Sequence, residues 1–214
     1  SASGPEAMNA PPPVAFAGFS LGEYSALYAA GIFDFQTIIE LIKYRAQFMA
    51  EAAHENLGSM AAIIGLDKTL LERICLETGV WIANYNCSNQ IVISGAKDKI
   101  MKAIEKAKDL KARRAVLLNV SGAFHTPLME SAALKMQAIL EKVPVKKPSF
   151  PVIMNYNAQP LELDSLKELM VKQIVSPVRF EETIQLLMKY NGRFLEIGPG
   201  KVLSGFLRRI NPEM

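Results

Sequence analysis

The residues Gly18-Phe19-Ser20-Leu21-Gly22 form a G-x-S-x-G pattern. They follow the short apolar run Val14-Ala15-Phe16-Ala17 and precede a helix-forming stretch, Glu23 to Ala30. A glycine-flanked serine between a strand and a helix suits a nucleophile elbow. That turn is sharp and strained, and the glycines remove the clashes it creates. It would lift the Ser20 hydroxyl to the strand's carboxyl end and aim a helix N-terminus at it. The Leu21 N–H would then face an oxyanion forming beside Ser20. The plainer reading is a tight strand-to-helix turn around a buried small residue. A serine hydroxyl is a poor nucleophile without a base. The chain has two histidines. His125 lies in the loop Ser121-Gly122-Ala123-Phe124-His125-Thr126-Pro127, the kind of position where rigid scaffolds carry catalytic groups. His54 ends a long helix between Glu51 and Glu55 and reads as solvated. His125 is therefore the expected base, against the alternative of a capping or core-satisfied histidine. Arg45 is the third candidate. Its neighbours at i±3 and i±4 are Leu41, Ile42, Phe48 and Met49, and none can form an ion pair with it. Either its guanidinium snorkels to solvent or it points into a cleft, where a substrate carboxylate would accept two parallel N–H bonds.

The elements that must position these groups follow from periodicity. Asp34 is a good N-cap for a helix running to about Ala53, with Phe35, Ile38, Ile39, Ile42, Ala46 and Met49 on one face. From there the texture changes. Strands are expected at Ser59–Leu66, Val80–Asn84, Gln90–Ser94 and Ala115–Asn119, and helices at Thr69–Glu77 and Ile100–Leu110. A polar loop is expected from Asn84 to Asn89. The order β-α-β-β-α-β is the split βαβ, ferredoxin-like arrangement. It marks residues 58–122 as a subdomain inserted in a larger body formed by 14–57 and 123–214. The body resumes with helices at Met129–Lys142, Ser165–Val175, Phe180–Tyr190 and Val202–Arg209, and strands at Val152–Asn155 and Arg193–Ile197. Alternating strands and helices predict an α/β parallel-sheet body. The Gly198-Pro199-Gly200 turn lacks a P-loop lysine and reads as structural. Residues 1–13, ending in three prolines, read as a tail or tag remnant.

Composition limits the function classes. Of 214 residues, 50% are hydrophobic and 21% charged, which is globular rather than disordered. No apolar run approaches the ~20 residues that span a bilayer, so no membrane helix is expected. The first residues have neither the basic nor the apolar region of a signal peptide. The net charge of +3 does not argue for nucleic acid. The basic stretch Lys99, Lys102, Lys106, Lys108, Lys111, Arg113 and Arg114 reads as a solvated face and as the candidate dock for an acidic partner. Two cysteines without a CxxC exclude a disulfide scaffold and a cysteine-based zinc site, and they fit a reducing cytoplasm. No carboxylate cluster suggests a metal.

The stretches GFSLGEYSALYAAG, LIKYRAQFMAEAA, NYNCSNQIVISG, SGAFHTPLM, VKQIVSPVRF and FLEIGPGKVLSGF, in this order and spacing, resemble the malonyl-CoA:acyl carrier protein transacylases. The resemblance runs from Val14 to Ile210 and implies an α/β-hydrolase-like body with a ferredoxin-like insert. It also implies roles. Ser20 would be acylated, and His125 would act as base, oriented by a main-chain carbonyl from the region of Gln173. Arg45 would hold the malonyl carboxylate, Leu21 would supply an oxyanion N–H, and Asn86 would lie near the cleft. The implied reaction is ping-pong transfer of malonyl from coenzyme A to the phosphopantetheine thiol of acidic acyl carrier protein. It needs no cofactor and is expected of a cytoplasmic monomer.

The resemblance departs in two places. Phe19 stands where the family usually has histidine. The family's Gly-Gln-Gly-x-Gln loop, which precedes the serine and supplies a second oxyanion N–H, has no counterpart in these residues. The expectation is that they are part of a longer protein. Two other functions remain open: a serine thioesterase or hydrolase, for which Asp98 and Asp109 would be the acids in chain order, and an inactive carrier-binding fragment.

Overall fold

The computed structural model describes residues 11–213; residues 1–10 of the expected tail lie outside them. The chain enters through β1 (Phe16–Ala17), which leads directly into α1 (Leu21–Ala29) and then α2 (Phe35–Glu55). Asp34 caps α2, its carboxylate accepting the Thr37 N–H at 2.8 Å. The buried stripe of α2 is Ile38, Leu41, Arg45, Met49 and Ala52, spaced by three and four residues as a helix face requires. This corrects the expected face. Phe35 and Ile39 are 65% and 48% exposed, and Phe35 meets Tyr28 edge-on at the surface instead. The rotation matters, because it carries Arg45 inward.

Residues 58–117 build an antiparallel sheet of β2 (Gly58–Ile64), β3 (Trp81–Cys87), β4 (Gln90–Ala96) and β5 (Arg114–Leu117), in the order β3-β4-β2-β5. Helices α3 (Lys68–Thr78) and α4 (Lys97–Asp109) cover one face. Ala61, Ile63, Ile91 and Ile93 point to those helices, while Met60, Ala62 and Val92 point the other way, toward Phe124. This is the ferredoxin-like arrangement expected from the sequence. One expected loop is corrected. Asn84 to Cys87 stay in β3, and only Ser88-Asn89 turn the hairpin. Two register shifts, at Ile82/Asn84 and Tyr85/Cys87, let this polar segment remain in a strand.

The chain then returns through α5 (Glu130–Leu140), β6 (Val152–Ile153), α6 (Leu166–Val175), α7 (Phe180–Met188) and α8 (Val202–Ile210). β6 pairs in parallel with β1, Phe16 against Val152 and Ala17 against Ile153. One core packs α1, α2, α5 and α6 around this pair. The strand expected at 193–197 does not form. Leu195 and Ile197 are 82% and 85% exposed, and no described strand offers them a ladder. Glu196 instead accepts the N–H groups of Leu203 and Ser204, at 3.0 and 2.8 Å, at the start of α8. An apolar run reads as a strand, but only a pairing partner makes it one.

Candidate active site

Ser20 sits between β1 and α1 with φ 51° and ψ −103°, a left-handed conformation that costs a non-glycine residue on the order of 1–3 kcal/mol. The neighbouring glycine makes the turn possible. A Cβ on Gly18 would fall 1.9 Å from the Gly22 carbonyl carbon and 2.3 Å from Glu23 N. Those are backbone atoms that cannot swing aside. Gly18→Ala is therefore expected to cost about 3 kcal/mol or more, read as a lowered midpoint in denaturant. Gly22 faces open space and carries no such constraint. A second restraint was not visible in the sequence. Asn155, fully buried just after β6, grips the turn from both sides: its Oδ1 accepts the Ser20 N–H at 2.7 Å and its Nδ2 donates to Gly18 O at 2.6 Å.

The expected base lies where the chemistry needs it. His125 Nε2 is 2.8 Å from Ser20 Oγ, and His125 Nδ1 is 2.8 Å from the main-chain oxygen of Gln173. A carbonyl only accepts, so Nδ1 carries the proton and Nε2 is left as the acceptor for the Ser20 hydroxyl. Burial, and after it the nearby Arg45 charge, draw the His125 pKa down to about 4. The imidazole is thus neutral near pH 7 and able to take a proton. His54, by contrast, is exposed at the end of α2.

Arg45 does not snorkel. It is 7% exposed, and its Nη2 donates to Ser20 Oγ at 3.0 Å and to Gln173 Oε1 at 3.2 Å. Its guanidinium lies 5.5 Å from the centre of the Tyr24 ring. Burial pulls its pKa down, while Tyr24 and Glu23 hold it up. Gln173 is fully buried, its Nε2 donating to Ser20 O at 3.0 Å. Leu21 is the first residue of α1; the Gly22 and Glu23 N–H groups bond to Phe19 O and Ser20 O, and the Leu21 N–H stands at the helix N-terminus beside Ser20.

Ser20, Arg45 and His125 share a cleft of about 350 Å³ with Phe19, Met49, Met60, Asn84 and Phe124. Asn84 is the asparagine that lines it. Asn86 is buried at 3% exposure outside this lining, and its Oδ1 has no partner among the described residues. Phe19 meets Phe180 edge-on at 5.2 Å, which ties the elbow to α7. The lysines of α4 lie behind the insert's sheet, on the face opposite Phe124, so the structure does not bring this basic row to the cleft. Asp98 and Asp109 belong to the same helix.

A family model described as acyl transferase domain matches residues 6–209. The chain is 45% identical over 202 residues to the malonyl CoA-acyl carrier protein transacylase of Bacillus subtilis, covering 91% of this chain and 64% of that protein. It is 40% identical over 204 residues to the protein of that name from Staphylococcus aureus, covering 92% and 66%. The chain therefore spans just under two thirds of these relatives' length. Among solved structures, it is similar to a malonyl-transacylase in complex with its type II PKS acyl-carrier protein, with TM-score 0.93 and 38% identity over 97% of this chain and 69% of that one. The malonyl CoA-acyl carrier protein transacylase from Coxiella burnetii gives 0.92 and 36%, over 97% and 68%.

Proposed function

This chain belongs to the acyl transferase family, among the malonyl CoA-acyl carrier protein transacylases, and from that premise we propose that it moves a malonyl group from malonyl-CoA to the phosphopantetheine thiol of acyl carrier protein, with Ser20 as the intermediate carrier. The observation that supports this best is convergence on one atom: Ser20 Oγ lies 2.8 Å from His125 Nε2 and 3.0 Å from Arg45 Nη2. Nucleophile, base and carboxylate receptor meet there.

The steps follow from this geometry. His125 Nε2 takes the Ser20 proton as Oγ attacks the malonyl thioester carbon. The oxyanion develops at the N-terminus of α1, where the Leu21 N–H stabilises it. The intermediate collapses, the C–S bond breaks, and His125 returns the proton to the departing coenzyme A sulfur. In the second half the carrier's thiol gives its proton to His125 and attacks the malonyl ester, and Ser20 recovers its own. The Gln173 carbonyl keeps the imidazole in the required tautomer throughout. Arg45 pairs the malonyl carboxylate; an acetyl group would leave the buried guanidinium unsatisfied. Because the thioester is already activated and Ser20 is the nucleophile, the reaction calls for no metal or cofactor on this chain; the phosphopantetheine comes with the carrier. We read the protein as a cytoplasmic monomer serving fatty acid or polyketide synthesis. No helix among the described residues is long and apolar enough to cross a membrane. The kinetic test is to vary malonyl-CoA at several fixed carrier concentrations. Parallel double-reciprocal lines are expected of a covalent intermediate; intersecting lines would remove it.

A further inference from the structure

Glu23 lies directly beneath the elbow and does none of the chemistry above, yet it is fully buried. A buried carboxylate is stable only when donors satisfy it. Its two oxygens take separate ones. Oε2 accepts the main-chain N–H of Asn155 at 2.6 Å, and Oε1 accepts Gln173 Nε2 at 2.8 Å. Each donor in turn holds part of the machinery. Asn155 grips Ser20 N and Gly18 O. Gln173 reaches His125 through its main-chain oxygen, Arg45 through Oε1 and Ser20 O through Nε2. The Gln173 amide can point only one way in this setting: its NH₂ toward two acceptors, its oxygen toward the Arg45 donor. Glu23 supplies one of those two acceptors.

We propose that Glu23 is a positioning residue, a buried carboxylate that sets Asn155 and Gln173 and through them holds Ser20, His125 and Arg45 in mutual register. The proposal rests on Ser20 being the reacting nucleophile, as in the function above. Replacing one acceptor oxygen by an NH₂ group, as in Glu23→Gln, must set a donor against the Asn155 N–H or against Gln173 Nε2. Either clash shifts the Ser20–His125 pair. A misplacement of about 1 Å at such a pair costs on the order of a hundredfold in rate.

Arg45, from α2, is the charge facing Glu23. Tyr24, beside it on α1, and His125, beyond Gln173, are the other titratable groups of the site. Burial pushes the Glu23 pKa up to about 7 against the pull of its hydrogen bonds and of Arg45. Its proton therefore leaves well above the His125 range near 4.

The test reads Ser20 reactivity without malonyl-CoA, as the rate of phosphonylation by a fluorophosphonate across pH 4 to 9, in the protein, E23Q and E23D. For E23Q, with melting temperature and circular dichroism showing a folded chain, the rate at pH 8 is expected to fall about tenfold or more. Its acid limb is expected to move from near 7 toward 4, the value set by His125 alone. E23D, which keeps the charge but shortens the reach, should fall between and keep the upper limb. A folded E23Q with the rate and acid limb of the unaltered protein overturns the proposal. If E23Q does not fold, E23D decides: a rate within about twofold of the unaltered protein overturns it, and a larger loss with the limb retained supports it. Unaltered protein that reacts with the fluorophosphonate but never with malonyl-CoA would sink the transacylase reading and leave the Glu23 proposal standing on its own test.

Discussion

Ser20→Ala is expected to lower kcat for malonyl transfer by roughly 10⁴-fold or more, leaving only what binding and the oxyanion site contribute. No other group can replace the lost nucleophile, because Ser20 Oγ is the hydroxyl within hydrogen-bond reach of His125 Nε2. The effect should be almost purely chemical. Alanine keeps the Cβ, so the strained φ of 51° is no worse, and the Ser20 N–H still has its Asn155 acceptor at 2.7 Å. The melting temperature should therefore stay within a few degrees. Arg45 retains its Gln173 contact, so malonyl-CoA affinity, measured by direct titration, should change little. A Ser20→Ala protein that keeps more than a few per cent of the activity would move the nucleophile elsewhere.

Arg45→Ala should have the next largest effect, and a different one. It is expected to cut kcat/KM for malonyl-CoA by about a hundredfold or more, while the value for acetyl-CoA stays within about threefold. The guanidinium is 7% exposed, so a carboxylate reaching it sheds its water, and only a charge-assisted pair compensates for that loss. Removing the cation leaves the desolvated malonyl carboxylate without its countercharge. Acetyl carries no charge and loses nothing. Arg45→Lys should recover only part, since an ammonium cannot make two parallel bonds. An unchanged ratio of malonyl to acetyl would take Arg45 out of the acyl pocket.

Much of this site was legible in the sequence because its parts have strong local signatures. The elbow announces itself by two glycines around a serine, and Gly18 proves sterically indispensable. His125 stood out because histidine is rare here. Arg45 stands out by lacking any partner on its own helix, although the apolar face expected from periodicity includes Phe35 and Ile39, which the structure leaves exposed. What stayed hidden is what depends on long-range closure. Asn155 and Glu23 are 132 residues apart and meet only when β6 pairs with β1. Neither has a spacing that betrays it, since an acidic residue in the first turn of α1 reads as an ordinary helix-dipole partner. Asn86 is the asparagine that the family resemblance points to, whereas Asn84, two residues earlier on β3, is the one that lines the cleft. The 193–197 segment looked like a strand because local pattern records apolarity and says nothing about partners.

Everything proposed for this site turns on Ser20 carrying the malonyl group between two thiols. The most direct measurement is the intact mass of the protein after mixing with malonyl-CoA, followed by addition of either holo-acyl carrier protein or buffer. A single malonyl adduct is expected, absent in Ser20→Ala, discharged promptly by the carrier with malonyl appearing on it, and lost only slowly in buffer. Prompt loss in buffer would make the protein a thioesterase, and no adduct at all would contradict acyl transfer by this chain.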